Sequence, residues 1–203
     1  MKDPLNYSLG DQKIPEASCC KYLGIIIRCD LRWAGQVKYT VQKAWRALHF
    51  EMLIVIKKNK NTKRLAYMSP VRPILENGAA FWDPYRECQI IALHRLQNKA
   101  AKFAQHLGGA LWESLAQRRK IARICALYKA YTGERAWKAI GNNLQAPSYL
   151  RRVDHYWKII ARKQRTHIGK YSSVNRSFTD WKKLPEEAIG TFHGKSTYFQ
   201  NEG

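Results

Sequence analysis

The sequence has few acidic side chains. Against 36 Lys and Arg stand only 15 Asp and Glu, so the 203-residue chain carries a formal net charge of +21. Such an excess of one sign destabilises a compact chain by self-repulsion, and a polyanionic partner would relieve it. Nucleic acid is the first partner class that this charge predicts, and an anionic membrane surface is the second. The remaining interpretation is a basic protein without such a partner.

Long apolar runs are missing as well. No stretch approaches the roughly 18 apolar residues of a membrane-spanning helix, and the N-terminal residues lack the apolar segment of a secretory signal. We therefore expect a nuclear or cytoplasmic protein that is not secreted and has no membrane partner. The five cysteines are odd in number and irregularly spaced, which favours reduced thiols over disulfides and argues against structural zinc.

Groups that would form a catalytic centre are also absent. Two-metal polymerases and nucleases hold their ions roughly 4 Å apart with clustered carboxylates, yet no two Asp residues lie within one helical turn of each other. Glu186-Glu187, an acidic doublet, suits the first turn of a helix better than a metal site. P-loop, GxSxG and HExxH motifs are missing too. We therefore expect the chain on its own to be no enzyme and to use no metal or cofactor.

What the sequence does contain is a helical apolar pattern. Apolar side chains recur at spacings of three and four, which is typical of amphipathic helices. Pro70 and Pro73 fit a first helical turn, where the missing amide has no partner to lose. Asn77-Gly78 would weaken the interior of the helix that follows by roughly 1 kcal/mol. The pattern predicts helices over residues 34–52, 71–82, 86–107 and 112–132.

Short β-strands are expected at both ends of the chain. The apolar run Leu23–Ile27 predicts a strand that pairs with residues 6–14 as a hairpin. Residues 156–165 and 170–178 alternate loosely and predict a second hairpin, joined near Gly169. The expected fold is therefore mainly α, with a short β-hairpin before the helices and a small one near the C-terminus.

Basic side chains form stripes on the predicted helices, which suits contact with a phosphate backbone. A solvated face with no such role is the alternative interpretation of these stripes. Aromatic residues interleave with the charges near the C-terminus, where they would either stack on bases or, as we favour for Trp157 and Trp181, pack in the core. The candidate nucleic-acid contacts are Lys38, Lys43, Arg46, Arg95, Lys99, Lys102, Arg151, Arg152, Lys158, Arg162, Lys163, Arg165 and Lys170. On the helix over residues 112–132, Arg119, Lys120 and Arg123 are expected to face away from the apolar side.

A series of sequence blocks resembles a known family. "KYLGIIIRCDLRW", "VQKAWRAL", "VRPILENGAAFWDPY" and "LHRLQNKAAKF" resemble, in this order, the region after the polymerase core of non-LTR (LINE-type, jockey-like) retrotransposon reverse transcriptases. The resemblance continues through "WESLAQRRKIARICALYKAY", "RVDHYWKIIARKQR" and "GKYSSVNRSFTDWKKLP" to "FHGKSTYFQ". It covers the chain from about residue 20. The family usually has Glu-Tyr-Ala where this chain has Glu76-Asn77-Gly78.

The resemblance implies an organisation and a function. Tyr22-Leu23-Gly24 would belong to a primer grip, with residues 1–33 as its hairpin and lead-in. Residues 34–107 would form a thumb-like helical bundle that binds RNA and DNA as a template–primer duplex, and residues 110–203 a basic post-thumb region. The catalytic Asp-Asp motif and its Mg²⁺ would belong to palm and fingers domains upstream of Met1. The chain would then be a catalytically incomplete C-terminal fragment of an RNA-directed DNA polymerase.

Two alternatives to this interpretation stay open. One is a stand-alone basic nucleic-acid-binding module, and the other is a non-functional retrotransposon remnant. An open reading frame that continues upstream into an Asp-Asp palm would favour the fragment, whereas a promoter and start at Met1 would favour the module.

Overall fold

The computed structural model describes residues 7–104, 113–131, 159 and 164–184. These residues are mainly helical, as the sequence predicts, with two small antiparallel hairpins near the N-terminus. The chain divides into two compact units. The first consists of Met1–Asn77 and Pro84–Trp112, and the second of Gly78–Asp83 and Glu113–Gly203.

The first unit contains two separate antiparallel hairpins. In the first, β1 (Ser8–Leu9) pairs with β2 (Gln12–Lys13), and in the second, β3 (Cys19–Tyr22) pairs with β4 (Ile25–Arg28). The strand predicted over Leu23–Ile27 is present from Ile25, but its partner is β3, so the predicted pairing with residues 6–14 is wrong. Leu23 and Gly24 instead form a tight turn with φ of 48° and 82°, because a two-residue hairpin loop of this kind needs positive φ at both positions.

The second hairpin is fastened to helix α1, which spans Ala34–Ile54. The backbone N–H of Ile26 on β4 donates to Gln36 Oε1 at 2.7 Å, and Gln36 Nε2 donates to Thr40 Oγ1 at 3.2 Å. Gln36 and Thr40 are both buried. The buried Gln36 side chain thus satisfies the outward-facing N–H of Ile26 on β4, and this hydrogen bond attaches the hairpin to the helix.

The helices of the first unit match the predicted pattern in part. After α1 the chain forms helix α2 (Lys60–Ala66), a π-helical turn (Tyr67–Val71), helix α3 (Arg72–Glu76) and helix α4 (Glu87–Phe103). Helix α2 begins at Lys60, directly after Asn59, whose Oδ1 caps it by accepting from Thr62 N at 2.8 Å. The fully buried core includes Ala44, Leu48, Val71, Leu75, Leu96 and Ala100.

The segment Asn77-Gly78 ends a helix rather than weakening one. The helix predicted over 71–82 stops at Glu76, and Gly78 has φ of 65°. Glycine is the residue that most readily takes this left-handed conformation, which is typical just after a helix. The carbonyl of Gly78 then accepts from the backbone N–H groups of Phe81 and Trp82 at 2.8 and 3.1 Å. The glycine is therefore a terminator with a structural function.

The second unit is helical where a C-terminal hairpin is expected. Its helices α5, α6 and α7 span Leu115–Tyr131, His167–Lys170 and Ser173–Trp181. The strand predicted over 170–178 is wrong, because Ser172 Oγ caps α7 by accepting from Asn175 N at 3.2 Å. The partner strand predicted over 156–165 falls largely outside the described residues.

The apolar core of the second unit gathers around Trp181. That side chain is fully buried, as expected, and stacks on Tyr128 with ring centroids 6.2 Å apart. Trp157, the other aromatic expected in a core, falls outside the described residues. Ile124, Leu127, Ile159 and Phe178 complete the cluster.

Beside this core lies a buried ionic cluster around Asp83, which we name the Asp83 cluster. Arg119 Nε donates to Asp83 Oδ1 at 2.9 Å, Arg123 Nη1 pairs with Asp83 Oδ2, and Arg176 Nη1 lies 2.9 Å from the same oxygen. Arg123 also pairs with Asp180 at 2.9 Å. Arg119 and Arg123, expected on the solvent side of their helix, are in fact buried. Asp83 and Asp180 lie far apart in the sequence, and Arg123 brings them together because it pairs with both.

Arg119 also contacts the indole that precedes Asp83. Its guanidinium lies 4.1 Å from the centroid of the Trp82 ring, and its Nη2 donates to the Trp82 carbonyl at 2.6 Å. Burial lowers the pKa of Arg119, and the charge of Asp83 opposes that shift. The arginine is thus held by a ring, a carbonyl and a carboxylate at once.

Candidate nucleic-acid interface

The tip of the second hairpin carries the three residues of the predicted primer grip. Only Tyr22 lies in a strand, while Leu23 and Gly24 form the turn, so the expected strand Tyr22-Leu23-Gly24 is corrected to a strand end and a turn. Tyr22 and Leu23 are 65% and 79% exposed. A non-glycine residue with positive φ, as at Leu23, costs about 1–2 kcal/mol. The hairpin thus presents two large apolar side chains to solvent on a strained turn.

A cavity of about 290 Å³ lies between this turn and the helices of the first unit. Lys43 and Gly24 line it, so the fold brings together two of the residues predicted as contacts. Tyr39 and Asn77 add a phenol and an amide, and Ile74 adds an apolar wall. The full lining is Gly24, Gln36, Tyr39, Thr40, Lys43, Pro73, Ile74 and Asn77.

Tyr39 is a member of this site that the sequence does not reveal. Lys21 Nζ donates to the Tyr39 hydroxyl at 2.9 Å and lies 4.6 Å from the ring centroid. That hydrogen bond and charge lower the pKa of Tyr39, with a smaller contribution from Lys43. Lys21 on β3 and Lys43 on α1 therefore both place positive charge near this phenol, which lines the cavity.

Helix α1 presents the next predicted contacts along its length. Lys38, Lys43 and Arg46 are all exposed, on the side of the helix away from the buried Ala44 and Leu48. No described carboxylate lies within ion-pair distance of these three side chains. Their charges are therefore directed to solvent and available to an anionic ligand.

Helix α4 places its predicted basic stripe beside this face. Arg95 and Lys102 are exposed, and Lys99 is half-buried because its Nζ lies 4.0 Å above the ring of Trp45 on α1. Helices α1 and α4 pack directly against each other. The contact between Lys99 and Trp45 thus brings a basic residue of α4 onto α1. We name the basic residues of the two helices, Lys38, Lys43, Arg46, Arg95, Lys99 and Lys102, the α1–α4 basic face.

In the second unit, the described residues include only two of the predicted nucleic-acid contacts. Arg165 and Lys170 are exposed, and the Lys170 Nζ lies 5.7 Å from the ring centroid of Tyr171. The others fall outside the described residues: Arg151, Arg152, Lys158, Arg162 and Lys163. The α1–α4 basic face of the first unit is therefore the part of the candidate interface that the geometry defines.

Neither sequence nor structure comparisons identify a relative. No protein-family model matches the chain, and no curated protein or solved structure matches it either. Within the described ranges, no helix has the length and apolarity to cross a membrane. The same part of the chain brings no three His, Cys, Asp or Glu residues together as metal ligands.

Proposed function

We propose that the chain binds a nucleic-acid duplex, as the thumb-like C-terminal part of a non-LTR retrotransposon reverse transcriptase. The observation that carries this proposal is the α1–α4 basic face, where exposed Lys and Arg of two packed helices adjoin without described carboxylate partners. Cations of this kind neutralise phosphates and release counterions, which supplies most of the affinity for a nucleic-acid backbone. The chain would act in the nucleus or cytoplasm, where its template and primer are.

The hairpin turn and its cavity support the same proposal from a second side. Exposed Tyr22 and Leu23 directly precede Gly24, which lines the cavity together with Lys43 and the phenol of Tyr39. An aromatic ring and an apolar side chain next to cations suit contact with a base and its phosphate together. In the resembling family this segment holds the primer, and the same position here would hold the end of a duplex.

The proposed role contains no polymerase chemistry within this chain. Polymerisation takes a carboxylate pair that holds two metal ions, and the resemblance places that pair in upstream domains. Primer extension by the purified chain with Mg²⁺ should therefore give no incorporation above buffer. Incorporation would show that a catalytic centre exists in these 203 residues and would reject the proposed role.

The test is the salt dependence of binding to a fluorescent RNA–DNA hybrid of about 16 base pairs. Each phosphate contact contributes roughly 0.9 to the slope of log affinity against log salt. The triple variant Lys38→Gln, Arg46→Gln, Lys102→Gln should therefore lower the slope by about two to three and weaken binding at low salt. The matched control Lys13→Gln, Lys129→Gln, Lys182→Gln removes the same charge from exposed positions elsewhere.

Two results would contradict the proposal. One is binding that does not depend on salt, or no binding. The other is an equal loss of slope in both triple variants, since net charge alone would then explain the affinity and the α1–α4 basic face would have no special role.

A further inference from the structure

The exposed side of helix α1 changes from basic to apolar towards its C-terminal end. Lys38 and Arg46 are exposed on its earlier turns, whereas the exposed side chains near its C-terminal end are mostly apolar. Phe50, Leu53 and Ile54 lie three and four residues apart, so they are neighbours on one side of the helix. With Ile56 they form a surface that we name the α1 apolar tip, and the exposed fractions of these four side chains are 63%, 77%, 56% and 63%.

Four such side chains in seven residues are more than the scattered apolar groups of an ordinary surface. Contiguous apolar patches of this kind mark interaction sites when polar residues surround them. The buried side of the same helix is already occupied, since Ala44 and Leu48 are fully inaccessible to solvent. The exposed tip therefore does not belong to the core of the first unit.

The border of the α1 apolar tip is strongly basic. Lys57, Lys58 and Lys60 follow it directly in the sequence and are exposed, as is Arg64 on α2. The single acid within this stretch is Glu51, which is half-buried. With the buried Lys63 on α2, residues 50–64 carry five positive charges and one negative charge, a net charge of +4. A ligand that covers the tip therefore has to supply negative charge around an apolar centre.

We propose that the α1 apolar tip binds an acidic amphipathic helix of a partner protein. Such a helix buries leucine-like side chains against Phe50, Leu53 and Ile54, while its flanking carboxylates meet Lys57 and Lys58. A second copy of this chain brings a like charge to the same border, which opposes self-association. A nucleic-acid backbone satisfies the cations but leaves the aliphatic side chains in water, and stable bilayer binding takes a second anchoring signal beyond one short patch.

The proposal is tested on the full chain with a synthetic peptide. The probe has about 18 residues, with Leu at spacings of three and four and Glu elsewhere, so that it forms one apolar face. Its control has the same composition in an order that breaks the periodicity. We expect fluorescence anisotropy to show at least about tenfold tighter binding of the periodic peptide, since two well-seated apolar side chains account for that factor.

Two pairs of variants locate the site. Leu53→Ser with Ile54→Ser should weaken binding of the periodic peptide by at least about tenfold. The control pair Leu9→Ser with Ile14→Ser changes the same residue types at 78% and 54% exposure, and it should leave binding unchanged. Lys57→Gln with Lys58→Gln should lower the salt dependence of peptide binding, whereas Lys13→Gln with Lys129→Gln should not.

Several outcomes would overturn the proposal. Equal affinity for the periodic and permuted peptides would reduce the interaction to charge alone. Binding to phosphatidylserine vesicles, lost in the Leu53 and Ile54 variants, with no peptide binding would identify a membrane site instead. Dimerisation in sedimentation velocity that these variants abolish would identify a surface for a second copy.

Discussion

Replacing Asp83 by Asn should destabilise the second unit selectively. The substitution keeps the size of the side chain and removes the negative charge that Arg119 Nε and Arg176 Nη1 each approach at 2.9 Å. Arg119 and Arg123 are 2% and 4% exposed, so water cannot replace the lost carboxylate. Removing one partner of a buried ion pair costs about 3–5 kcal/mol. Arg119 keeps the Trp82 carbonyl and Arg123 keeps Asp180, which favours the lower end of that range.

Amide hydrogen exchange can assign this loss to one unit. Protection of α5 amides, such as those of Ile124 and Leu127, should fall by a factor of about 100 or more, since about 3 kcal/mol corresponds to roughly that ratio. Protection around Leu96 on α4 serves as the internal reference for the first unit. Asp180→Asn is the matched control, because Asp180 is 21% exposed and, among the described residues, its carboxylate pairs with Arg123 and Lys120. Its effect should be clearly smaller.

A specific result would refute this reasoning. If Asp83→Asn lowers α5 protection by less than about tenfold, or no more than Asp180→Asn does, the buried cluster does not hold the unit together. Equal losses in α4 and α5 would also contradict it, since the perturbation would then act on the whole chain.

Three further predictions concern single groups. Gly78→Ala should destabilise the chain by about 1–2 kcal/mol in urea unfolding, because an alanine there takes a positive φ; no loss would show that the turn can rearrange. The pKa of Asp30 should be about 2 by NMR titration, since the Arg28 guanidinium and then the Arg32 amide hydrogen-bond its carboxylate. Because that pKa is depressed, the stabilisation is present above pH 3.8 and is lost as the pH falls through about 2, and Arg28→Gln should return the pKa towards 3.8. With excess thiol reagent, Cys125 should react more slowly than the exposed Cys19, Cys20, Cys29 and Cys88, since it is half-buried and burial raises its pKa. Equal reaction rates for all five thiols would contradict this prediction.

The sequence was sufficient where periodicity alone determines the fold. Helix α1 begins at Ala34 as predicted, and α4 buries Leu93, Leu96 and Ala100 on the expected side. Both helices are long and carry apolar side chains at regular spacing, which is the strongest local signal in a sequence. The basic residues opposite those stripes are exposed for the same reason, with the exception of the half-buried Lys99. The composition of the α1–α4 basic face could therefore be predicted.

Periodicity failed where small polar residues form the buried side. Helix α7 buries Ser173, Ser177, Phe178 and Trp181, whereas the loose alternation of polar and apolar residues in this segment predicts a strand. The available signal is a cap: Ser172 precedes Ser173, and the other buried residues lie four, five and eight positions after Ser173, which is a helical spacing. Serines can occupy a core position when they bond to nearby backbone, as Ser177 Oγ does to the Ser173 carbonyl at 2.8 Å.

Neither the cavity nor the Asp83 cluster could be predicted from local sequence. Lys43 and Gly24 were separate candidates, and only the fold shows that they line one cavity with Tyr39. Arg119 and Arg123 have the spacing of a solvated helix side, and nothing near them in the sequence offers a counter-charge. That counter-charge is Asp83, 36 residues before Arg119. Long-range pairs of this kind leave no pattern within a local window.

The discontinuity of the second unit sets an order in which the protein can fold during synthesis. Trp82 and Asp83 leave the ribosome well before their partners, since Arg119 follows Asp83 by 36 residues and Arg176 by 93. Until those arginines are synthesised, Asp83 in the short segment Gly78–Asp83 has no ion-pair partner from them. The chain on both sides of this segment belongs to the first unit. The first unit can therefore assemble early and the second only near completion. A fragment that begins at Glu113 would contain the buried arginines without Asp83, so an expression boundary at that position separates the charges that the unit needs.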